Sequence, residues 1–201
     1  MSKLPAPTLT LLVLAKDEDE LGQFNVDAVR RAADELVLLS NPGARFGALG
    51  VIGNDLLSRG RGSVVGMLHA DVTITEQTVR DLARAAAAGA VAGVVGRSLS
   101  GQYVWCHSVN EPTPVSTLDS CCVFIPRLGG LRFDTALFDG FHCCVEDLCL
   151  QAAARSKPVL VVPGFAEHRG ASAGADEWMK AYWFYRNRLQ QKWSHVKFQT
   201  T

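Results

Sequence analysis

The chain has no excess of charge of either sign: twenty Lys and Arg stand against twenty Asp and Glu in 201 residues. A balanced surface offers no general attraction to a phosphate backbone, so nucleic acid is not an expected partner. Long apolar runs are also missing. The longest stretch of low polarity, Ala85 to Gly96, is too short and too rich in small residues to span a bilayer, so no membrane span is expected. The N-terminus has no basic segment followed by a long apolar core, which argues against a signal peptide and for a cytoplasmic protein. No Cys-x-x-Cys occurs among Cys106, Cys121, Cys122, Cys143, Cys144 and Cys149. Without a secretion signal a disulfide framework is not expected. Adjacent cysteines on a strand point to opposite faces, which argues against a cysteine metal cluster and for small buried thiols.

What is present is an apolar fraction of 48% in a length that suits one domain over residues 1–201 with a full core. Leu9 to Ala15 is a continuous apolar run, the pattern of a strand buried on both faces. Lys16 to Glu20 reads as a charged turn and Asn25 to Ala33 as a helix. Glu35 to Leu39 reads as a strand ended by the turn Ser40-Asn41-Pro42-Gly43. A helix through Leu49, Ile52, Asn54 and Leu57 precedes a strand from Ser63 to Leu68. Thr75 is placed to cap a helix from Glu76 to Ala88, and Val91 to Val95 is a fourth strand. Strands alternating with helices predict a parallel sheet covered by helices, with ligands at the carboxyl ends of the strands. Lys16-Asp17, Ser40-Asn41 and His69 to Asp71 fall at such ends. In the second half, Gln102 to Ser108 and Leu118 to Ile125 read as strands, Val145 to Ala154 as a helix, Val159 to Val162 as a short strand and Asp176 to Trp193 as a long helix.

Three chemistry-bearing pieces follow in order. Asp71 comes just past an apolar strand, where a carboxylate can reach a hard cation such as Mg²⁺ or Mn²⁺, and one imidazole ligand, His168, would favour Mn²⁺. Glu146 and Asp147 open a helix, where the macrodipole stabilises acids and one of the two can serve as a general base. Neighbours at i and i+1 diverge on a helix, so one of the pair faces an acceptor, and Asp147 is the expectation.

The ordered set resembles the family 2 glycosyltransferases of the GT-A fold, and within them the small glycosyltransferase-like proteins with an F-H-x-x-x-x-D-L-x-L segment. The matching residues are Asn54, Leu68-His69-Ala70-Asp71 in place of a D-x-D motif, Asp119 to Arg127, and Phe133-Asp134 before Leu137-Phe138. Gly140-Phe141-His142, Glu146-Asp147-Leu148-Cys149-Leu150, His168 before Gly170, and Asn187 to Lys192-Trp193 continue the series.

The resemblance implies an α/β, GT-A-like (nucleotide-diphospho-sugar transferase) fold with a mixed, mostly parallel sheet flanked by helices. It implies metal-dependent, inverting transfer of a sugar from a UDP- or GDP-sugar to a glycan or other hydroxyl acceptor. Asp71 and His168 would hold Mn²⁺ or Mg²⁺, and Asp147, with Glu146 beside it, would act as base. Lys16, Asp17, Ser40, Asn41, Asn54 and His69 would contact the donor, and Asp119 and His142 the acceptor. A homo-oligomer is left open.

The chain departs from the pattern at three places: His69 stands where the first acid of D-x-D is usual, Ser40-Asn41 replaces an aspartate-rich turn, and Lys16-Asp17 replaces an aromatic-asparagine pair. These departures keep a second reading in play, a non-catalytic nucleotide-sugar or glycan-binding domain on the same fold.

Other signals carry less. Gly170 to Gly174 fits G-x-S-x-G, but a nucleophile elbow needs a strand running directly into the serine, and Gly164 to Arg169 intervene. A loop closing over substrate is the better reading of those glycines. Gly47, Gly50 and Gly53 do not make the dinucleotide fingerprint. Trp178, Tyr182 and Trp193 read as core, whereas Trp105 is a candidate for stacking on a sugar ring.

Overall fold

The computed structural model describes residues 7–42, 48–169 and 175–200. The glycine loop at 170–174 therefore lies outside the described residues, as do Gly43, Gly47 and the side chain of Trp178. The elements are β1 (Leu9–Ala15), α1 (Glu18–Gln23), α2 (Val26–Arg30), β2 (Glu35–Ser40), α3 (Leu49–Arg59), β3 (Val64–His69), β4 (Val72–Ile74), α4 (Glu76–Ala87) and β5 (Val91–Gly93). Then come β6 (Val95–Arg97), β7 (Tyr103–Trp105), β8 (Thr113–Pro114), β9 (Thr117–Leu118), β10 (Cys122–Pro126), α5 (Cys144–Ala154), β11 (Val159–Val161), β12 (Ala166–His168) and α6 (Ala175–Lys192).

The main sheet has seven strands in the order β2-β1-β3-β10-β5-β11-β8. β1 pairs in parallel with β2 and β3, and β5 with β11, while β10 runs antiparallel between β3 and β5. β1 is buried at every residue, as a sequence apolar at all positions but Thr10 requires of a strand covered on both faces. β10 is equally buried, and its Phe124 lies beside Gly66, where a Cβ would stand 2.9 Å from the ring. α4 lies across β3, β10 and β5; α3 packs against β3 and α5, and α5 against β9 and β11. Two small sheets extend the frame: β12 pairs with β4, and β7-β6-β9 form a three-stranded sheet.

Several expected elements are divided. The run from Val91 to Val95 bends at Val94, so that β5 stays in the main sheet and β6 enters the three-stranded one. Gly93 lets β5 lie close against β10, because a Cβ there would meet the Cys122 carbonyl oxygen at 2.8 Å. Leu118 to Ile125 likewise splits into β9 and β10 around a turn at Asp119 to Cys121. The predicted charged turn after β1 is instead α1, capped by Asp17, whose Oδ1 accepts from the Glu20 amide at 2.8 Å. Thr75 caps α4 as its sequence position requires, accepting from the Thr78 amide at 3.2 Å. All six cysteines are free and buried.

Candidate functional site

β3 delivers His69 to its carboxyl end, and the turn to β4 carries Asp71. The antiparallel pairing of β12 with β4 sets His168 opposite Val72, and the Arg169 amide donates to the Asp71 carbonyl at 3.1 Å. Thus His168 Nε2 lies 3.3 Å from Asp71 Oδ2, and the His69 and His168 rings are 6.2 Å apart. One ligand atom from each of His69, Asp71 and His168 lies within 4.8 Å of the others. A second, overlapping group joins Asp119, Cys121 and His168 at the same spacing.

Two of the three groups are held in the form a cation needs, whereas His168 would have to give up a proton to coordinate. Burial pushes the His69 imidazole down, toward its neutral, coordinating form. His168, hydrogen-bonding to Asp71, is raised, and the same contact holds the Asp71 carboxyl below its usual range. Burial holds the Cys121 thiol well above its usual value, so this sulfur stays protonated and is a poor ligand as it stands. His69 Nε2 and Asp71 Oδ1 are buried without a hydrogen-bond partner. Buried polar atoms are normally paired, and two orphans facing one cluster fit a cation that would coordinate both.

A cleft of about 390 Å³ opens over Asp71 and is bounded by Lys16, Asp17, Asp19, Glu20, Gln23 and Arg169. Four carboxylates and two cations line it. A diphosphate alone would meet net repulsion there, and a divalent cation would neutralise it. Arg169 lines the cleft without having been expected there from the sequence; its signal was a fixed cation immediately after His168. Ser40, at the carboxyl end of β2, also has a buried hydroxyl without a partner.

Other expected site residues have structural occupations. Asp17 caps α1, and Lys16 pairs with Glu20 at 3.8 Å. Asn54 makes a reciprocal amide clamp: its Nδ2 donates to the Phe133 carbonyl at 2.8 Å and its Oδ1 accepts from the Phe133 amide at 2.9 Å. Asn54 thereby ties α3 to the 131–133 segment. Asn41 is buried, its amide donating to the Ala15 carbonyl at 2.9 Å. His142 packs edge-on to Tyr182 at 6.2 Å and lies 6.3 Å from Tyr185, against α6. Asp119 Oδ1 accepts from the Cys121 amide at 2.8 Å, and Asp119 borders the His168 cluster.

Asp147 departs most from expectation. Its side chain is 0% exposed and fully engaged. Oδ1 accepts from Trp193 Nε1 at 2.8 Å and lies 2.8 Å from Lys192 Nζ, while Oδ2 accepts from Gln151 Nε2 at 2.8 Å and from Lys192 Nζ at 3.0 Å. Lys192 also reaches Asp134 at 2.9 Å. A carboxylate saturated in this way and shut from solvent does not stand open to an acceptor hydroxyl, so the expectation of an acceptor-facing Asp147 is corrected. Its role is to anchor the end of α6 to α5. Glu146 beside it is also buried.

The mixed sheet and its flanking helices give a GT-A-like α/β fold. Solved structures with this fold include GalNAc-T7 with UDP, GalNAc and Mn²⁺, at a TM-score of 0.60 and 12% identity over 82% of this chain and 44% of that one. They also include S. aureus TarS 1-349 in complex with UDP-GlcNAc, at a TM-score of 0.53 and 12% identity over 91% of this chain and 66% of that one. The chain thus spans less than two thirds of each neighbour. No protein-family model and no curated protein matches the sequence. No helix among the described residues is long and apolar enough to cross a membrane.

Proposed function

We propose that the cleft over Asp71 binds the diphosphate of a nucleotide-sugar together with Mn²⁺ or Mg²⁺, and that the domain transfers the sugar to a hydroxyl acceptor. The observation that carries this reading is the clustering of His69, Asp71 and His168, with two orphaned buried atoms, at a cleft that Asp71 lines together with Lys16 and Arg169. His69, Asp71 and His168 would hold the cation, which when bound supplies Lewis-acid stabilisation to a departing diphosphate. Lys16 and Arg169 would pair with phosphate oxygens, and the strand ends at Ala15 and Ser40 would face the nucleoside. Uracil is the favoured base, because both neighbours were solved with a uridine nucleotide.

Inverting transfer forms a bond from the acceptor oxygen to the anomeric carbon and breaks the bond from that carbon to the diphosphate. The acceptor proton needs a carboxylate, and the burial of Asp147 moves that role elsewhere. Asp119 is the partly exposed acid that borders the cluster and, among the described residues, forms no ion pair with a Lys or Arg. We assign it the proton. The burial of Asp147 also favours a second reading, in which the domain binds a nucleotide-sugar without turning it over.

One experiment addresses both. Nucleotide-sugars are incubated with and without Mn²⁺, and free nucleoside diphosphate is measured alongside thermal shift. The transferase reading expects Mn²⁺-dependent release that Asp119→Asn abolishes while the shift by UDP persists. Binding without release from any donor supports the second reading, and no shift with any nucleotide overturns both.

A further inference from the structure

The three-stranded sheet carries a row of aromatic rings that the donor cleft does not use. Tyr103 and Trp105 occupy alternate positions of β7 and share one face. Their ring centroids are 6.3 Å apart, and His107 stacks on Trp105 with centroids 5.8 Å and planes 22° apart. Arg97, directly across from Tyr103 on β6, lays its guanidinium 3.4 Å from the Tyr103 ring centre and donates to the Gly101 carbonyl at 2.6 Å. Tyr103 nevertheless remains 51% exposed, and His107 is exposed as well. Trp105 is the fixed point of the row, because it packs against the core beside its cross-strand partner Val95.

The row has a definite position relative to the cation cluster. Val95 pairs with Trp105 on one side and accepts from the Asp119 amide at 3.0 Å on the other. Two strand spacings, about 10 Å, therefore separate the backbones of Trp105 and Asp119. Asp119 borders His168, whereas Lys16 and the β1–β2 strand ends lie across β3 on the opposite side. A nucleoside on the β1–β2 side leaves the aromatic row on the acceptor side.

We propose that Tyr103, Trp105 and His107, with Arg97 backing Tyr103, form a glycan subsite that holds consecutive pyranose rings of the acceptor. As an acceptor site this rests on the nucleotide-sugar reading above; as a glycan-binding surface it stands alone. The apolar C–H faces of pyranoses stack on aromatic faces, and the spacing of these rings resembles the repeat of sugars along a chain. Arg97 orients and holds Tyr103 so that little side-chain entropy is lost on binding. Ser98, Ser100 and Gln102 in the adjoining hairpin supply hydrogen-bonding groups for sugar hydroxyls.

The test uses the full chain, labelled and applied to an array of neutral, acidic and amino-sugar oligosaccharides, with the strongest glycan carried into calorimetry. Binding is expected, weakened about tenfold by Tyr103→Ala or His107→Ala. Trp105→Phe, which keeps a flat ring, retains it, and Asp71→Asn leaves it unchanged. Both alanine variants alter exposed rings, and an unchanged melting temperature verifies that each is folded. Capture of no glycan by the folded chain overturns the proposal, as does undiminished capture by the Tyr103→Ala/His107→Ala double variant. Loss of the UDP and Mn²⁺ shift with intact glycan capture would instead sink the donor reading and leave this surface standing.

Discussion

Two acidic centres on one frame, around Asp71 and around Asp147, have opposite hydrogen-bond arithmetic. At Asp71 the polar groups outnumber their partners: His69 Nε2 and Asp71 Oδ1 are buried with nothing to bond. At Asp147 every oxygen is met by Lys192, Trp193 or Gln151, and Asp134 takes the remaining reach of Lys192. The first centre is incomplete without a ligand, and the second is complete in the chain alone. An incomplete buried cluster costs stability and gains it back on binding, whereas a complete one contributes to the fold whether or not ligand is present. Mutations should therefore separate the two, one acting on binding and the other on folding.

The largest expected effect is at the complete centre. Lys192→Met leaves the Asp147 carboxylate buried with its cation gone, which should destabilise the fold by about 3–5 kcal/mol. Urea unfolding measures it. A loss below about 1 kcal/mol would mean that Asp147 takes up a proton or that water reaches it, and the contrast between the centres would fail. Asp71→Asn is the counterpart. It should leave the urea midpoint essentially where it was and weaken Mn²⁺-dependent UDP binding by about 100-fold, read by calorimetry. An unfolding effect as large as that of Lys192→Met would place Asp71 with the structural acids.

Asn54 sharpens the same distinction, because it was expected at the donor and sits in a clamp. Asn54→Ala should cost about 1–2 kcal/mol by leaving the Phe133 amide and carbonyl unpaired, with UDP affinity unchanged. A drop in UDP affinity without loss of stability would restore the donor role.

Much of the frame around Asp71 was legible because its information is local. A seven-residue run apolar at all positions but Thr10 gives β1, Thr75 gives the start of α4, and a charged residue just past an apolar strand gives Asp71. His168 was legible by its place after a strand, although the pairing of β12 with β4 that brings it to Asp71 joins segments distant in sequence. The α5–α6 joint was not legible for the same reason. Nothing around Glu146 and Asp147 signals that Lys192 and Trp193 return to cover them, and acids at a helix start look alike whether they face solvent or a lysine. The divisions of β5 from β6 and of β9 from β10 were hidden too, since apolar periodicity does not reveal a bend between two sheets. Asp17 shows the limit at a strand end: a cap and a ligand contact ask for the same residue type, and the Glu20 amide decides for the cap.

The smallest expected effect concerns pH and belongs to the complete centre. The Lys192 ammonium, hydrogen-bonded to Asp134, holds that carboxyl below its ordinary value of 3.8 in the folded chain. The unfolded chain keeps the ordinary value, so it binds a proton first as pH falls. The stabilisation is therefore full above 3.8 and is lost as pH drops toward the lower folded value. Asp134 and Lys192 are about a quarter exposed, so screening by solvent limits the contribution to about 0.5–1 kcal/mol. Unfolding free energies of the native chain and of Asp134→Asn, compared from about pH 6 to about pH 2, should differ at the upper end and converge at the lower. Metal ions should not move this convergence, because Asp134 is tied to the α6 anchor and not to the His69, Asp71 and His168 cluster. A Mn²⁺-dependent difference would show that the two centres are coupled through the sheet, and the separation drawn between them would have to be abandoned.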